Sequence, residues 1–283
     1  MSLRSSRGFT LVELLVALVL LVMVGGSIYQ VLVNQQRLSR AQSELVALQT
    51  NVRTGALLLG TELRELATGP AGSDILQMGG DSISYRAMRG TVIACQRART
   101  EVRVLASPFY GFRQPQAGRD SLLLFVEGDS TRSTDDRWVA LPITSVTGGS
   151  TCGARAATVL ATDIDTIVTP LSAIKLDAPA RTFEVMQLKL YQSGGQYWLG
   201  ARSASAGETI QPVLGPLLAN GLALTYLDST GVVTTNRQRV RTIQIMIRGV
   251  TDRTVRTAAS AGQLALVRDS LAAQVTLRNA PRF

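Results

Sequence analysis

The sequence predicts an α+β protein: a long N-terminal helix, apolar all round in its first half and amphipathic in its second, packed on an antiparallel β-sheet domain. Three observations lead there. A nearly uncharged apolar run fills residues 9–33, apolar residues then recur at helical spacing as far as Leu66, and short β-rich segments bounded by turn residues occupy the remainder. A chain of 283 residues is ample for a real core. With 46% hydrophobic and 17% charged residues and a mean hydropathy of +0.18, it is more apolar than most soluble domains, so some apolar residues are expected in lipid.

Phe9 to Val33, FTLVELLVALVLLVMVGGSIYQVLV, carries a single charge, Glu13. At 1.5 Å per residue a helix of that length crosses a hydrocarbon core of about 30 Å. The preceding MSLRSSRG holds Arg4 and Arg7 and no acid, which places that flank in the cytoplasm and the C-terminal bulk outside it. A cleaved secretory signal would have a shorter apolar core and a small-residue site behind it, and neither is present. A carboxylate in hydrocarbon costs roughly 2.5–3.5 kcal/mol on insertion scales, so Glu13 either snorkels to the interface or has a partner.

The eleven residues Arg7-Gly8-Phe9-Thr10-Leu11-Val12-Glu13-Leu14-Leu15-Val16-Ala17 resemble the prepilin cleavage and methylation motif of type IV pilins and type II secretion pseudopilins. The resemblance implies that a prepilin peptidase cuts after Gly8 and methylates the new amino terminus at Phe9. Gly8 lets the backbone lie extended against a protease, and the basic leader holds the scissile bond at the cytoplasmic face. The resemblance also gives Glu13 a partner, the terminal amine of a neighbouring subunit, because a buried pair of opposite charge is tolerated where a lone charge is not. On this reading Glu13 acts in assembly.

Beyond Val33 apolar residues continue at Leu38, Ala41, Leu45, Leu48, Val52, Ala56, Leu59, Leu63 and Leu66, at spacings of three and four that trace one stripe on a helix. Span and stripe predict one helix within residues 9–68, about 58 residues and so about 87 Å long if unbroken, stopped by Gly69-Pro70 and open to bending at Gly25-Gly26. The stripe fits packing on the protein's own sheet, with a dimeric coiled coil as the rival. Past Pro70 the sequence predicts strands at Ser82–Tyr85, Val92–Arg97, Val102–Leu105, Ser121–Glu127, Trp138–Pro142, Thr166–Thr169, Phe183–Gln192, Tyr197–Arg202, Leu222–Leu227, Val240–Arg248 and Leu271–Arg278. Ser193-Gly194-Gly195-Gln196 and Asp228-Ser229-Thr230-Gly231 are the hairpin turns, and residues 106–119, 128–137 and 203–218 read as loops.

From Gln211-Pro212-Val213 to Thr276-Leu277-Arg278-Asn279, this layout resembles the C-terminal half of PilW-like minor pilins, relatives of the J-type pseudopilin of type II secretion. It implies a leader at 1–8, a helix at 9–68 with 9–33 in the membrane, and a β-rich extracytoplasmic domain at 69–283.

Composition narrows the chemistry. Histidine is absent, which removes Ser-His-Asp and Cys-His triads and His-ligated zinc, and neither lysine, Lys175 nor Lys189, sits in a phosphate-binding loop. No enzymatic site and no cofactor is expected. Cys95 and Cys152 lie on the oxidising side of the span, where they form either a disulfide worth up to about 4 kcal/mol or two buried thiols. Asp129, Asp135 and Asp136 raise a calcium reading, but their spacing is not that of an EF-hand and Arg132 and Arg137 intrude, so a solvated loop is expected. Asp163 and Asp165 read as a turn. Arg97, Arg99 and Arg103 form one basic group. Arg237, Arg239 and Arg241 alternate as they would on one strand face, which could meet phosphates; low aromatic content and the absence of a recognition fold argue against DNA contact.

The expected role is that of a minor pilin, held in the inner membrane and entering a pilus at assembly initiation or in a tip complex. Its partners would be other minor pilins, the major pilin, the prepilin peptidase, the inner-membrane assembly platform and membrane lipid. The alternatives are a minor pseudopilin of type II secretion and a membrane-anchored adhesion or binding domain.

Overall fold

The computed structural model describes residues 10–69, 72–129, 131–132, 135–164, 167–168, 170–256 and 262–279. They form one long helix, α1 (Leu11–Arg64), and a β-rich remainder. The strands follow as β1 (Thr68–Gly69), β2 (Gly72–Ser73), β3 (Ile75–Met78), β4 (Ser82–Arg97), β5 (Glu101–Leu105), β6 (Tyr110–Gly111), β7 (Asp120–Val126) and β8 (Arg137–Pro142). Then come β9 (Ser145–Cys152), β10 (Arg155–Ala161), β11 (Pro179–Ser193), β12 (Gln196–Ser203), β13 (Gln211–Leu227), β14 (Thr242–Val250), β15 (Val255–Arg256), β16 (Leu264–Ala265) and β17 (Arg268–Thr276). The fold is α+β, with an antiparallel sheet as expected.

The chain divides into two compact units, Met1–Leu48 with Thr251–Val267, and Gln49–Val250 with Arg268–Phe283. In the first, α1 runs unbroken through Gly25-Gly26, so the expected bend does not occur there. Ser27 Oγ donates to the Met23 carbonyl at 2.8 Å, and among the described residues no side chain and no other segment lies within 4 Å of a Cβ built at either glycine. The stripe also starts later than expected: Leu38 is exposed, whereas Ala41 and Leu48 are buried. The same unit holds the short hairpin β15–β16, closed by the Thr251 N–H donating to the Val267 carbonyl at 2.9 Å.

In the second unit the stripe is a core. Val52, Ala56, Leu59 and Leu63 are buried, and Gly55 brings the helix so close to β13 and β14 that a Cβ there would lie 2.9 Å from Ile247 Cδ1 and closer still to Leu214. Asn51 Nδ2 donates to the Gly215 carbonyl at 2.9 Å, and Tyr85 Oη donates to Glu62 Oε2 at 3.2 Å. The helix packs on the protein's own sheet. It ends at Arg64, four residues short of the expected end, because its last carbonyls are taken by the C-terminal segment: the Arg278 N–H donates to the Arg64 carbonyl at 2.8 Å and Asn279 Nδ2 to that of Glu65 at 3.1 Å.

The main sheet runs β17-β14-β13-β12-β11-β4-β5-β10-β9, with every pair antiparallel. In β14 the isoleucines Ile243, Ile245 and Ile247 are buried while Gln244 is exposed, the alternation read from sequence. Gly194 and Gly195, at φ 60° and 80°, supply the left-handed pair that a two-residue hairpin between β11 and β12 needs.

Several expectations need correction. Ser82–Tyr85 and Val92–Arg97 are one sixteen-residue strand, β4, which passes through a bulge: Thr182 pairs with Gly90 and Phe183 with Met88, leaving Arg89 unpaired between them. Part of the expected loop 203–218 is the start of β13, which carries Pro212 and Pro216 through two register shifts against β12. The hairpin β9–β10 was not expected at all. Its SVTGGSTC strand is small, polar and mostly exposed, so it has no hydrophobic alternation to read. Thr166–Thr169 is not a strand where it is described, since Ile167 and Val168 lie in a turn closed on the Ile164 carbonyl; Thr166 and Thr169 lie outside the described residues.

Strands β4, β5, β7, β8 and β10 enclose a second core built from Val92, Val102, Val104, Leu122, Leu124, Leu141, Leu160, Ile164 and Ile174.

Candidate functional site

At the start of α1, Thr10 is the N-cap: its Oγ1 accepts the Glu13 N–H at 3.2 Å and its carbonyl accepts the Leu14 N–H at 3.2 Å. Thr10-Leu11-Val12-Glu13 therefore has the S/T-x-x-E pattern of a capping box, a local role for Glu13's position that the sequence reading passed over although the pattern was in plain sight. The Glu13 side chain is exposed on a helix whose Leu11, Val12, Leu14, Leu15, Val16 and Leu18 are all exposed as well. Among the described residues α1 is the one helix long and apolar enough to cross a membrane, and nothing in its most apolar eighteen-residue window is buried in protein. A helix apolar on every face, with no protein against it, fits lipid or a neighbouring helix. Gly8 and Phe9, the expected processing residues, lie outside the described residues.

Cys95 on β4 and Cys152 at the end of β9 form a disulfide with a Cα–Cα distance of 6.1 Å. Three ladder steps separate β4 from β9, about 14 Å in a flat sheet. The bond is possible because β4-β5-β10-β9 curls around the second core, and it closes that curl.

The acidic group is a loop. Asp129 Oδ1 accepts the Thr131 N–H at 3.0 Å and the Thr131 hydroxyl at 2.8 Å, the Asp129 N–H donates to Asp135 Oδ2 at 2.7 Å, and the Gly128 N–H donates to Asp136 Oδ1 at 3.2 Å. The Thr131 bonds hold the Asp129 carboxyl below its ordinary range. These carboxylates are occupied by their own backbone, as expected of a solvated turn. Asp163 is exposed beside a turn, and Asp165 lies outside the described residues.

The arginine sets separate. Arg97 donates to the Ile174 carbonyl at 2.7 Å, and Arg103 pairs with Glu101 at 3.2 Å. Arg237, Arg239 and Arg241 do not share a strand face, because β14 begins only at Thr242 and Arg237 and Arg239 stand in a turn whose Arg239 N–H donates to the Asn236 carbonyl. The face offered to phosphates on sequence grounds is therefore not formed.

A charged cluster that sequence reasoning missed sits where β7 and β12 share one edge of β11. Glu184, buried on β11, meets Arg89 Nε at 2.8 Å, Arg113 Nη2 at 3.0 Å and Arg119 Nε at 2.7 Å. Arg113 also bonds buried Asp120 at 2.7 Å, and Arg119 bonds Glu208 at 2.7 Å. The bulge at Arg89 turns that side chain onto the carboxylate. Burial pushes the Glu184 carboxyl up, but hydrogen bonds from Ser203, Arg89 and Arg113 together with the Arg89 charge outweigh it and hold the group at about 2. The cluster anchors the 106–119 and 203–210 loops to the sheet. Its members are scattered from 89 to 208, so no local pattern signals it.

The description "Prokaryotic N-terminal methylation motif" matches residues 3–29. No curated protein and no solved structure matches the chain. The matched segment contains Gly8, Phe9 and Glu13 and overlaps the exposed apolar part of α1, and an antiparallel β domain follows in the sequence. A prepilin-type methylation motif on a long apolar N-terminal helix, followed by an antiparallel β domain, is the pattern of type IV pilin-like proteins.

Proposed function

We propose that this chain is a minor pilin of the PilW type, cut after Gly8 by a prepilin peptidase, methylated at Phe9, and built into a type IV pilus at assembly initiation or in a tip complex. The observation that carries the reading is the methylation motif on a helix whose most apolar stretch is not buried by any of the described residues. The N-terminus lies in the cytoplasm, the helix spans the inner membrane once, and the β domain is extracytoplasmic; the basic flank and the disulfide support this orientation. Glu13 pairs with the amine of a neighbouring subunit's first residue. The other partners are the remaining minor pilins, the major pilin and the inner-membrane assembly platform. The role is non-enzymatic, and the missing strand face of Arg237, Arg239 and Arg241 counts against DNA as a partner. The chain's length, together with the C-terminal layout, supports a pilus subunit over a type II secretion pseudopilin.

N-terminal mass spectrometry of the protein from its native host tests the proposal. The expected result is a first residue of methylated Phe9; an intact Met1 on protein recovered from sheared fibres rules the processing out. Deletion is expected to abolish piliation, and a protein-export defect with normal pili would assign the chain to secretion instead.

A further inference from the structure

We infer that the cleft between the face of β11, the β1–β2 hairpin and the 236–238 turn binds an anionic sugar, a uronate or a sugar phosphate. The cleft has a volume of about 660 Å³, room for one or two rings. Three guanidinium groups line it, Arg86, Arg181 and Arg237, against a single carboxylate, Asp74.

Aromatic faces hold two of these cations. The Arg181 guanidinium lies 5.5 Å from the centre of the Trp138 ring, and that of Arg86 lies 5.3 Å from the centre of Phe183. Stacking fixes the plane of a guanidinium without neutralising it, which leaves its fork of N–H donors set for a carboxylate or phosphate. Asp74 offsets only part of this charge: it is buried, its Oδ2 accepts the Ala67 N–H at 2.8 Å and its Oδ1 pairs with Arg86 at 4.0 Å, so three guanidinium groups face one carboxylate. Arg237 is anchored through Nη1 to the Leu76 carbonyl at 2.8 Å.

The walls are tied to one another. Ser73 Oγ donates to the Arg237 carbonyl at 3.1 Å and Thr68 Oγ1 to that of Val240 at 2.6 Å, so the cleft is pre-formed. The carboxamides of Asn236, Gln238 and Asn279 complete the lining. Asn236 Oδ1 accepts the Gln238 N–H at 3.0 Å and Asn279 Nδ2 donates to the Glu65 carbonyl at 3.1 Å, which holds two of these amides in place; an amide so held still has a further N–H or lone pair to offer a sugar hydroxyl. Guanidinium groups and amides in one lining, with Arg237 between Asn236 and Gln238, favour a ligand with an oxyanion on a hydroxylated body.

The inference goes beyond the filament role and does not depend on it. Isothermal titration of the full chain in detergent with glucuronate, glucose 6-phosphate and glucose tests it. Saturable binding is expected for at least one anion and not for glucose, and which anion binds tells carboxylate from phosphate. Arg181→Gln should weaken binding about tenfold or more, since a charge-assisted hydrogen bond contributes about 1.5–3 kcal/mol. Arg181→Lys should fall between the two, and Arg132→Gln, in the exposed acidic loop, should bind as the parent does. Should Arg181→Gln not fold, Arg237→Gln serves in its place. Absence of saturable binding to both anions, equal binding of glucose, or unchanged affinity in Arg181→Gln and Arg237→Gln overturns the inference.

Discussion

The two ends of α1 are built from the same residue types and meet opposite fates. In Leu11–Leu32 leucines and valines cover every face, and all those large side chains are exposed; from Val52 onward they form a stripe, and Val52, Leu59 and Leu63 are buried. Backbone geometry does not separate them, because one unbroken helix carries both. What differs is the solvent each was patterned for. An all-round apolar helix has no polar side to turn toward water, whereas a stripe needs one apolar surface and tolerates water elsewhere. Hydrophobicity in the first end is thus a statement about lipid or neighbouring helices, and in the second about the chain's own sheet.

If that contrast is right, damage to the β domain should leave the first end alone. The largest expected effect comes from the disulfide. Replacing Cys95 and Cys152 with serine removes a cross-link spanning 57 residues, worth up to about 4 kcal/mol in the chain-entropy model. Thermal melting in detergent, followed by near-ultraviolet circular dichroism, should show a large fall in the melting temperature of the β domain, with the helical signal of the first end retained. An unchanged melting temperature would mean that the curled lobe does not need its clasp.

Next comes a direct exchange between the ends. Leu59→Ala empties a fully buried site and should cost about 3 kcal/mol, while Leu20→Ala, on the exposed end, should leave β-domain stability within about 0.5 kcal/mol. Equal losses in the two variants would break the comparison. The glycines repeat the test at smaller scale. Gly55→Leu must displace Leu214 and Ile247 and should cost about 2 kcal/mol, whereas Gly25→Leu meets nothing within 4 Å and should be neutral or slightly stabilising.

The same contrast explains what could be read in the sequence. The helix was legible because both of its patterns are local and strong. So were β14, from alternating Ile243, Ile245 and Ile247, and the β11–β12 turn, from Gly194-Gly195. Elements fixed by distant partners were not legible. The end of α1 depends on Arg278 and Asn279, more than two hundred residues away, and β9 carries small polar residues with no period. Strand β4 hides its continuity behind a bulge that exists to aim Arg89 at Glu184. At the candidate site the motif around Glu13 is contiguous and was read directly. Arg237, by contrast, was read onto a strand with Arg239 and Arg241, yet it stands on a turn at a cleft whose other walls include residues as distant as Ser73, Arg86, Trp138 and Arg181.

The smallest effect, taken per unit of pH, separates the ends by titration. Glu184 is held at about 2 in the folded protein, below the ordinary carboxylate value of 4.5. A depressed folded-state value means that its contribution to stability is fully present above about pH 4.5 and is lost as the pH falls toward 2, with a slope of at most about 1.4 kcal/mol per pH unit for one proton. The β domain should therefore become steadily less stable across that window, through release of the Arg89, Arg113 and Arg119 contacts that tie two loops to β11. Glu184→Gln should flatten the profile while lowering stability at neutral pH, because three guanidinium groups then face an uncharged amide. Chemical denaturation of both proteins between pH 2 and 7 provides the measurement. A parallel pH dependence in the variant would show that the acid lability arises from other carboxylates.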